Sequence, residues 1–346
     1  MMSTSWPNNP TVNNLSLPTS PSLEPSGLTF VTDSDNVVWL FVASDNGYLT
    51  KGSLNTSTPP TVTWSTAYSF QPSSDKMGDY ESVTTTGTNA VMVGIEGDAY
   101  DKNGNALVPY PIIARFDASN TSSSNQIGSF TGSQWELRNF ERGVVGGNTG
   151  NAGMEALTLV PTAACPSSWL LDSPLNSNSD SSYQPYYGGL FFVAAQAECS
   201  VIFVYDLVKG GGQSHTAIPF KTLPTMKATG FPKNGNGSSV ASNATCALQI
   251  SDLFFEPTSN VLYVLYDGDA GNDYLQALTL NADGTFTQKW AAQTPYVGCE
   301  GVAVYGNDLY LAVDLSGSQT GVAPLGSDGV YQFPGFISTM NRQVSS

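Results

Sequence analysis

The 346-residue chain carries 28 Asp and Glu against 12 Lys and Arg, a formal net charge of −16. That balance excludes a general nucleic-acid binder, because neutralising phosphates requires a basic face, and it opposes unaided binding to anionic membranes. Gly (34) and Pro (21) are plentiful, aromatic and β-branched residues are common, and no stretch keeps the 3.6-residue period of a long amphipathic helix, so the chain reads as all-β.

In chain order, residues 1–19 read as an N-terminal extension, 20–338 as one repeat-built domain and 339–346 as a C-terminal tail. A short phrase opens each repeat: a small or acidic residue, a second short residue, then a branched apolar residue that starts a strand. It occurs first as Ser26-Gly27-Leu28, and the apolar run 37–43 that follows closes on Asp45. The second copy is Glu81-Ser82-Val83, with the run 91–95 ahead of Glu96 and strands expected at 81–85, 90–95, 110–116 and 134–140. Glu155-Ala156-Leu157 opens the third, whose run 190–195 precedes Gln196; its Ser-, Pro-, Asn- and Gly-rich stretches 165–187 and 208–246 read as surface loops. The fourth is Ser251-Asp252-Leu253 with 261–266 before Asp267, and the fifth is Glu300-Gly301-Val302 with 309–313 before Asp314. From Ser26 to Glu81, Glu155, Ser251 and Glu300 the intervals are 55, 74, 96 and 49 residues. About four short strands per unit, radially repeated, imply a single five-bladed β-propeller of four-stranded antiparallel blades, with six blades as the alternative. The fifth unit ends early, at 330–333, so its outer strand is expected from the N-terminus, within 11–17.

No apolar run approaches the roughly 18–20 residues that cross a bilayer, and residues 1–10 lack the charged and apolar regions of a secretory signal. The four cysteines allow three connectivities, of which Cys165–Cys199 and Cys246–Cys299 fit the repeats best. Five Asn-X-Ser/Thr sites occur, at Asn14, Asn55, Asn120, Asn236 and Asn243. With a Lys-poor, Ser/Thr/Gly-rich composition, these point to a secreted, disulfide-bonded glycoprotein.

The first strand of each propeller blade lines the central channel, so Ser26, Glu81, Glu155, Ser251 and Glu300 form a ring at one depth. Three carboxylates converging on an axis repel and raise one another's pKa unless a cation sits among them. A donor set of oxygens alone, with no imidazole or thiolate, suits Ca²⁺. The alternative is that the five residues cap strands and bond backbone amides and channel water. Asp45, Glu96, Gln196, Asp267 and Asp314, at the ends of the second strands, form a wider acidic rim on the same face; Asp45-Asn46-Gly47 and Asp267-Gly268-Asp269 are also ordinary turn formers.

The ordered phrases Ser-Gly-Leu, Glu-Ser-Val, Gly153-Met154-Glu155-Ala156-Leu157 with Ala194-Ala195-Gln196, Ile250-Ser251-Asp252-Leu253 and Glu-Gly-Val resemble the phytase-like propellers named for esterase-like activity and their SdiA-regulated relatives. The resemblance covers about residues 24–335. The ring is also similar to that of the calcium-activated apyrases, which implies an axial calcium held at Ser26, Glu81, Glu155, Ser251 and Glu300. The apyrases' acidic motif ahead of the first blade has no counterpart, since residues 1–25 contain Glu24 as their single acid.

Catalytic machinery is sparse. Phosphate ligands near a mouth reduce to Lys76, Arg138, Arg142, Lys227 and Lys233, of which Arg142 in Glu141-Arg142-Gly143 is the most attractive. His215 is the single histidine and follows Gly210-Gly211-Gly212, a poor basis for a triad or a zinc centre. The mechanism open to such residues is metal-assisted hydrolysis, with Glu96, Asp267 or Asp314 activating water. Two functions follow: a calcium-bearing extracellular module that binds a protein or glycan, or a calcium-dependent hydrolase of phosphoesters or other esters.

Overall fold

The structure, a computed structural model, describes residues 4–19, 21–65, 68–69, 79–87, 90–96, 111–117, 130–137, 154–195, 201–210, 215–224, 249–267, 273–315 and 327–345. Strand β1 (Asn13–Asn14) lies in the N-terminal extension. Blade 1 comprises β2 (Pro25–Thr32), β3 (Val38–Ser44), β4 (Tyr48–Asn55) and β5 (Thr61–Trp64), with a short β6 (Tyr68–Ser69) also pairing with β4. Blade 2 comprises β7 (Tyr80–Thr85), β8 (Ala90–Ile95), β9 (Ile112–Asp117) and β10 (Phe130–Leu137). Blade 3 begins with β11 (Met154–Pro161), β12 (Gly189–Ala195) and β13 (Val201–Tyr205); β14 (His215–Ala217) crosses to pair in parallel with β10, and β15 (Lys221–Pro224) then completes the blade. Blade 4 is β16 (Gln249–Glu256), β17 (Val261–Asp267), β18 (Tyr274–Leu280) and β19 (Phe286–Gln293). Blade 5 is β20 (Cys299–Tyr305), β21 (Asp308–Val313) and β22 (Gly329–Phe333), with β1 as its fourth strand. Two helices complete the chain, α1 (Ser167–Asp172) and α2 (Phe336–Ser345).

The five-bladed propeller expected from the phrases is therefore the fold. The blades pack face to face, so central strands are covered on both sides and read as continuous apolar runs: every residue of β8 is buried, as is every residue of β17 except Asp267. The core accordingly lies between blades. Phe41, Val91, Val93 and Phe116 fill the seam of blades 1 and 2, and Trp135, Leu157, Phe191 and Tyr205 that of blades 2 and 3. Phe192, Val204, Leu253 and Val264 fill the next seam, and one large cluster joins blades 4, 5 and 1.

Closure occurs where expected. Asn13 and Asn14 pair with Gln332 and Tyr331 of β22, and the Leu15 amide donates to the Val330 carbonyl at 2.9 Å. Further out, Thr4 bonds the Ala291 carbonyl of blade 4, while Trp6 packs against Tyr296, Phe333 and Phe336.

Two expectations are revised. Cys165 and Cys299 are both free, buried thiols, so neither Cys165–Cys199 nor Cys246–Cys299 is formed; Cys199 and Cys246 themselves lie outside the described residues. Both thiols are used as small apolar groups: Cys165 packs beside Trp169 and its thiol donates to the Val160 carbonyl at 3.5 Å, and burial pushes its pKa up to about 12. The stretch assigned as a C-terminal tail belongs to α2, which buries Phe336, Ile337 and Met340 along one face against blades 4 and 5.

Candidate functional site

Strands β2, β7, β11, β16 and β20 are the inner strands, and each touches the inner strand of the blade on either side, closing a ring about the axis. In all five, pairing with the second strand skips one residue. Pro25 pairs with Ser44 and Gly27 with Ala43, which leaves Ser26 out. Glu81 is skipped between Tyr80–Ile95 and Ser82–Gly94, and Glu155 between Met154–Ala195 and Ala156–Ala194. Ser251 and Glu300 are skipped in the same way in blades 4 and 5. Every ring residue is thus the extra residue of a β-bulge, a device that re-aims a side chain. Strict strand alternation would point a residue to a blade seam; the bulge turns it to the axis.

The short residue after the bulge has a steric cause. A Cβ on Gly301 would stand 2.5 Å from the Ser26 carbonyl oxygen, and one on Gly27 2.6 Å from the Ser82 Cα, so neighbouring inner strands approach closely at this level. Blade 4 places Asp252 there instead. Its buried carboxylate accepts the amides of Leu253 at 2.8 Å and Val302 at 2.7 Å, and that of Leu28, tying the inner strands of blades 4, 5 and 1 together beneath the ring.

Above the bulges the rim falls into register. The amides of Asp45, Glu96 and Asp314 donate to the carbonyls of Glu24, Asp79 and Gly298 at 2.9, 3.0 and 2.9 Å, and Asp267 pairs with Gln249. Each partner lies two residues before its ring residue. Ring and rim together line one cavity of about 350 Å³, room for about a dozen waters at roughly 30 Å³ each. All five expected ring residues line it, as do Asp45, Glu96, Asp267 and Asp314. Gln196 and Arg142 lie outside the described residues, as do Lys76, Arg138, Lys227 and Lys233. Among the described residues, Glu24, Asn46, Asp79, Gln249 and Ile250 also line it, without having been singled out from the sequence. For Glu24, Asp79 and Gln249 the signal was available: a polar residue two positions ahead of the phrase, one strand period away.

Among the described lining residues nine are Asp or Glu and none is Lys, Arg or His. Burial, then Glu155, Asp45 and Glu96, hold the Glu81 carboxyl well above the usual carboxylate range. Glu155 is raised by burial, then by Glu96, Glu300, Asp45 and Asp267, and Glu300 by burial, then by Asp267, Asp273, Asp314 and Asp45. Asp45 and Glu81 share a side-chain hydrogen bond, which requires a proton on one of the two carboxyls. The Ser251 hydroxyl donates to the Cys299 carbonyl at 3.3 Å. Ser26 is 5% exposed and lines the cavity. Among the described residues, no three His, Cys, Asp or Glu side chains stand close enough together to hold a metal ion directly.

His215 pairs with Trp135 in β14, beyond the outer strand of blade 2. At about 4.8 Å per strand that is roughly 19 Å from the inner strand, away from the axial cavity.

No family model and no curated protein matches the chain. Among solved structures it is similar to a Bacteroides fragilis protein provisionally assigned as a 6-phosphogluconolactonase, at 10% identity and a TM-score of 0.37 over 87% of this chain and 84% of that one. A Bacteroides uniformis protein with the same provisional assignment matches at 11% identity and 0.34, over 87% and 84%. The periplasmic gluconolactonase of Pseudomonas aeruginosa matches at 12% and 0.38, over 89% and 73%. Likenesses this loose carry no weight for the site, whose chemistry rests on its own residues.

Proposed function

We propose that this propeller is a secreted, calcium-binding extracellular module whose axial ring holds one divalent cation and whose acidic mouth receives the partner. The observation that carries the reading is the five-fold use of a bulge to aim Ser26, Glu81, Glu155, Ser251 and Glu300 into a single cavity. The donor chemistry fits calcium: three carboxylates and two hydroxyls, with no nitrogen or sulfur among them. Ser26 adds a buried hydroxyl on the cavity wall. The carboxylates stand apart around roughly a dozen waters' worth of space, which suits an ion that keeps part of its hydration shell. A bound cation would supply the positive charge that lets Glu81, Glu155 and Glu300 ionise together. Extracellular placement rests on composition and on the sequons, of which Asn14 and Asn55 are exposed.

A calcium-dependent ester or phosphoester hydrolase is the second reading, favoured by the acids at the cavity mouth and by the resemblance to phytase-like propellers. Glu96, Asp267 and Asp314 would then activate water.

The test is thermal unfolding with and without calcium. Binding to the ring alone stabilises the native state by about 2.7 kcal/mol at a hundredfold excess over Kd. The melting temperature should rise with calcium and return on chelation. A melting curve indifferent to both overturns the cation reading.

A further inference from the structure

Of the five Asn-X-Ser/Thr sites, Asn14 and Asn55 lie among the described residues, and both are exposed. Their surroundings differ. Asn55 ends β4 and pairs with Thr61 across the hairpin to β5, and the whole run Asn55, Thr56, Ser57, Thr58 and Pro59 is exposed. The Ser57 amide donates to the Asn55 Oδ1 at 3.1 Å, and the Ser57 hydroxyl to the Pro59 carbonyl at 3.0 Å. The turn thus depends on the carbonyl oxygen of the carboxamide, and the nitrogen, the atom a glycan takes, is not the one that holds the loop. Asn14 forms the same kind of turn, with the Ser16 amide 2.7 Å from its Oδ1. Its Nδ2, however, donates to the Tyr331 hydroxyl at 3.4 Å, and its backbone pairs with Tyr331 in the strand that closes the ring.

We propose that Asn55 is the N-glycan acceptor of blade 1 and that Asn14 stays unmodified. In the transfer, the Asn55 Nδ2 forms a bond to the anomeric carbon of an oligosaccharide carried on a lipid pyrophosphate. The bond from that carbon to the pyrophosphate oxygen breaks, the lipid pyrophosphate leaves with the electron pair, and one amide proton passes to a base of the transferase. A glycan is bulky and hydrophilic and needs open solvent where it is attached; the exposed loop after Asn55 supplies it, whereas at Asn14 the glycan would displace the carboxamide from Tyr331 within the closing strand pair. The position also bears on function. Strand β4 begins at Tyr48, close to the cavity-lining Asn46, and its seven residue steps at roughly 3.3 Å each place Asn55 roughly 23 Å away, at the opposite end of the blade. A glycan there leaves the cavity mouth open to a partner and marks the β4–β5 hairpin as a surface that no partner covers. The inference rests on the proposed extracellular placement, which gives the chain access to a transferase, and is independent of the cation.

The test takes the full chain from the cells that make it, medium and cell extract separately, and treats it with a peptide N-glycosidase in heavy-oxygen water, which turns each glycosylated Asn into labelled Asp. Peptide mapping should find the label at Asn55 in most copies and at Asn14 in few. In a second arm the full chain is sent through the secretory pathway of insect cells by an added leader. The glycan on the Asn55 peptide should be lost in Asn55→Gln and equally in Ser57→Ala, which keeps the acceptor and removes the sequon hydroxyl, and should persist in Asn14→Gln. Unlabelled Asn55 in chain recovered from the medium overturns the proposal and leaves the extracellular reading standing. Label at Asn55 in a chain held wholly in the extract upholds the acceptor and overturns the extracellular reading, while an unlabelled chain held there overturns both. Label at Asn14 equal to that at Asn55, or a modification that survives Ser57→Ala, also overturns the proposal.

Discussion

At the scale of single residues, the site is a set of acids placed where the fold disfavours their charge. Glu155 illustrates the conflict: burial and four neighbouring acids raise its pKa, so in the absence of a cation the folded state must hold a proton or tolerate repulsion. Glu155→Gln keeps the shape and removes that conflict. In chelator at neutral pH the variant should melt higher than the parent; relief of about 1 kcal/mol corresponds to a rise of roughly 2 °C in a chain of this size. If Glu155 is a ligand of the proposed cation, the order should reverse in calcium, because the variant lacks that carboxylate. Scanning calorimetry of both proteins in both conditions checks this; a variant that melts lower in chelator as well would show that Glu155 supports the fold through contacts independent of charge. The ring residues themselves were legible in the sequence through their recurrence in phase. The bulges were not, because one skipped residue leaves the composition unchanged and shows itself only in the pairing of two strands. The small residues at Gly27, Ser82, Ala156 and Gly301 were their trace, since close approach of the inner strands leaves no space for a larger side chain at Gly27 and Gly301.

At the scale of elements, the ring is closed by very little β-structure. Strand β1 contributes two residues, and the segment ahead of it does the remaining work through Trp6, which is 9% exposed among Tyr296, Phe333 and Phe336. That aromatic contact fastens the N-terminal arm to β22 and to helix α2, so the two chain ends meet in one cluster. Removing a buried Trp side chain costs about 3–5 kcal/mol. Trp6→Ala should therefore lower unfolding free energy by that amount in a denaturant melt, and an unchanged midpoint would mean that the arm does not close the ring. The closing strand was expected from the sequence because the fifth unit lacked one. Its anchor was not, since Trp6 sits among Pro and Asn with no periodic pattern around it. The helix α2 was missed for a related reason: ten residues with three buried apolar positions give too short a pattern to stand out.

At the scale of the whole molecule, stability depends on seams between blades in which large aromatic rings are buried with their hydroxyls. Burial lifts the hydroxyls of Tyr205, Tyr263 and Tyr310 well above their ordinary value near 10; outside the seams, partial burial and then its bond to Asp206 raise the Tyr183 hydroxyl to about 12. The unfolded chain then loses protons that the folded chain retains, so stability falls as pH rises. It should be fully present below about pH 10 and decline through pH 12 and above. Followed by circular dichroism alongside tyrosinate absorbance, unfolding and ionisation of these tyrosines should coincide; tyrosinate appearing in a still-folded protein would show that these hydroxyls are more open to water than their packing implies.

What the sequence alone determined is what repetition and short-range pattern encode: the all-β class, the number of blades, the inner and second strands of each, and the alignment that brings Ser26, Glu81, Glu155, Ser251 and Glu300 to one level. These are properties of a strand and its hairpin, and they recur five times over. Tertiary structure decided what depends on residues distant in the chain. It kept Cys165 and Cys299 as buried thiols, because each finds apolar packing and nearby polar groups within its own surroundings. It brought Glu24 and Asp79 to the rim beside Asp45 and Glu96, because a two-residue offset acquires meaning only when a partner strand fixes the register. It turned Asp252 from one more acid into a tie between three blades, since the amides of Val302 and Leu28 reach it only after the ring has closed.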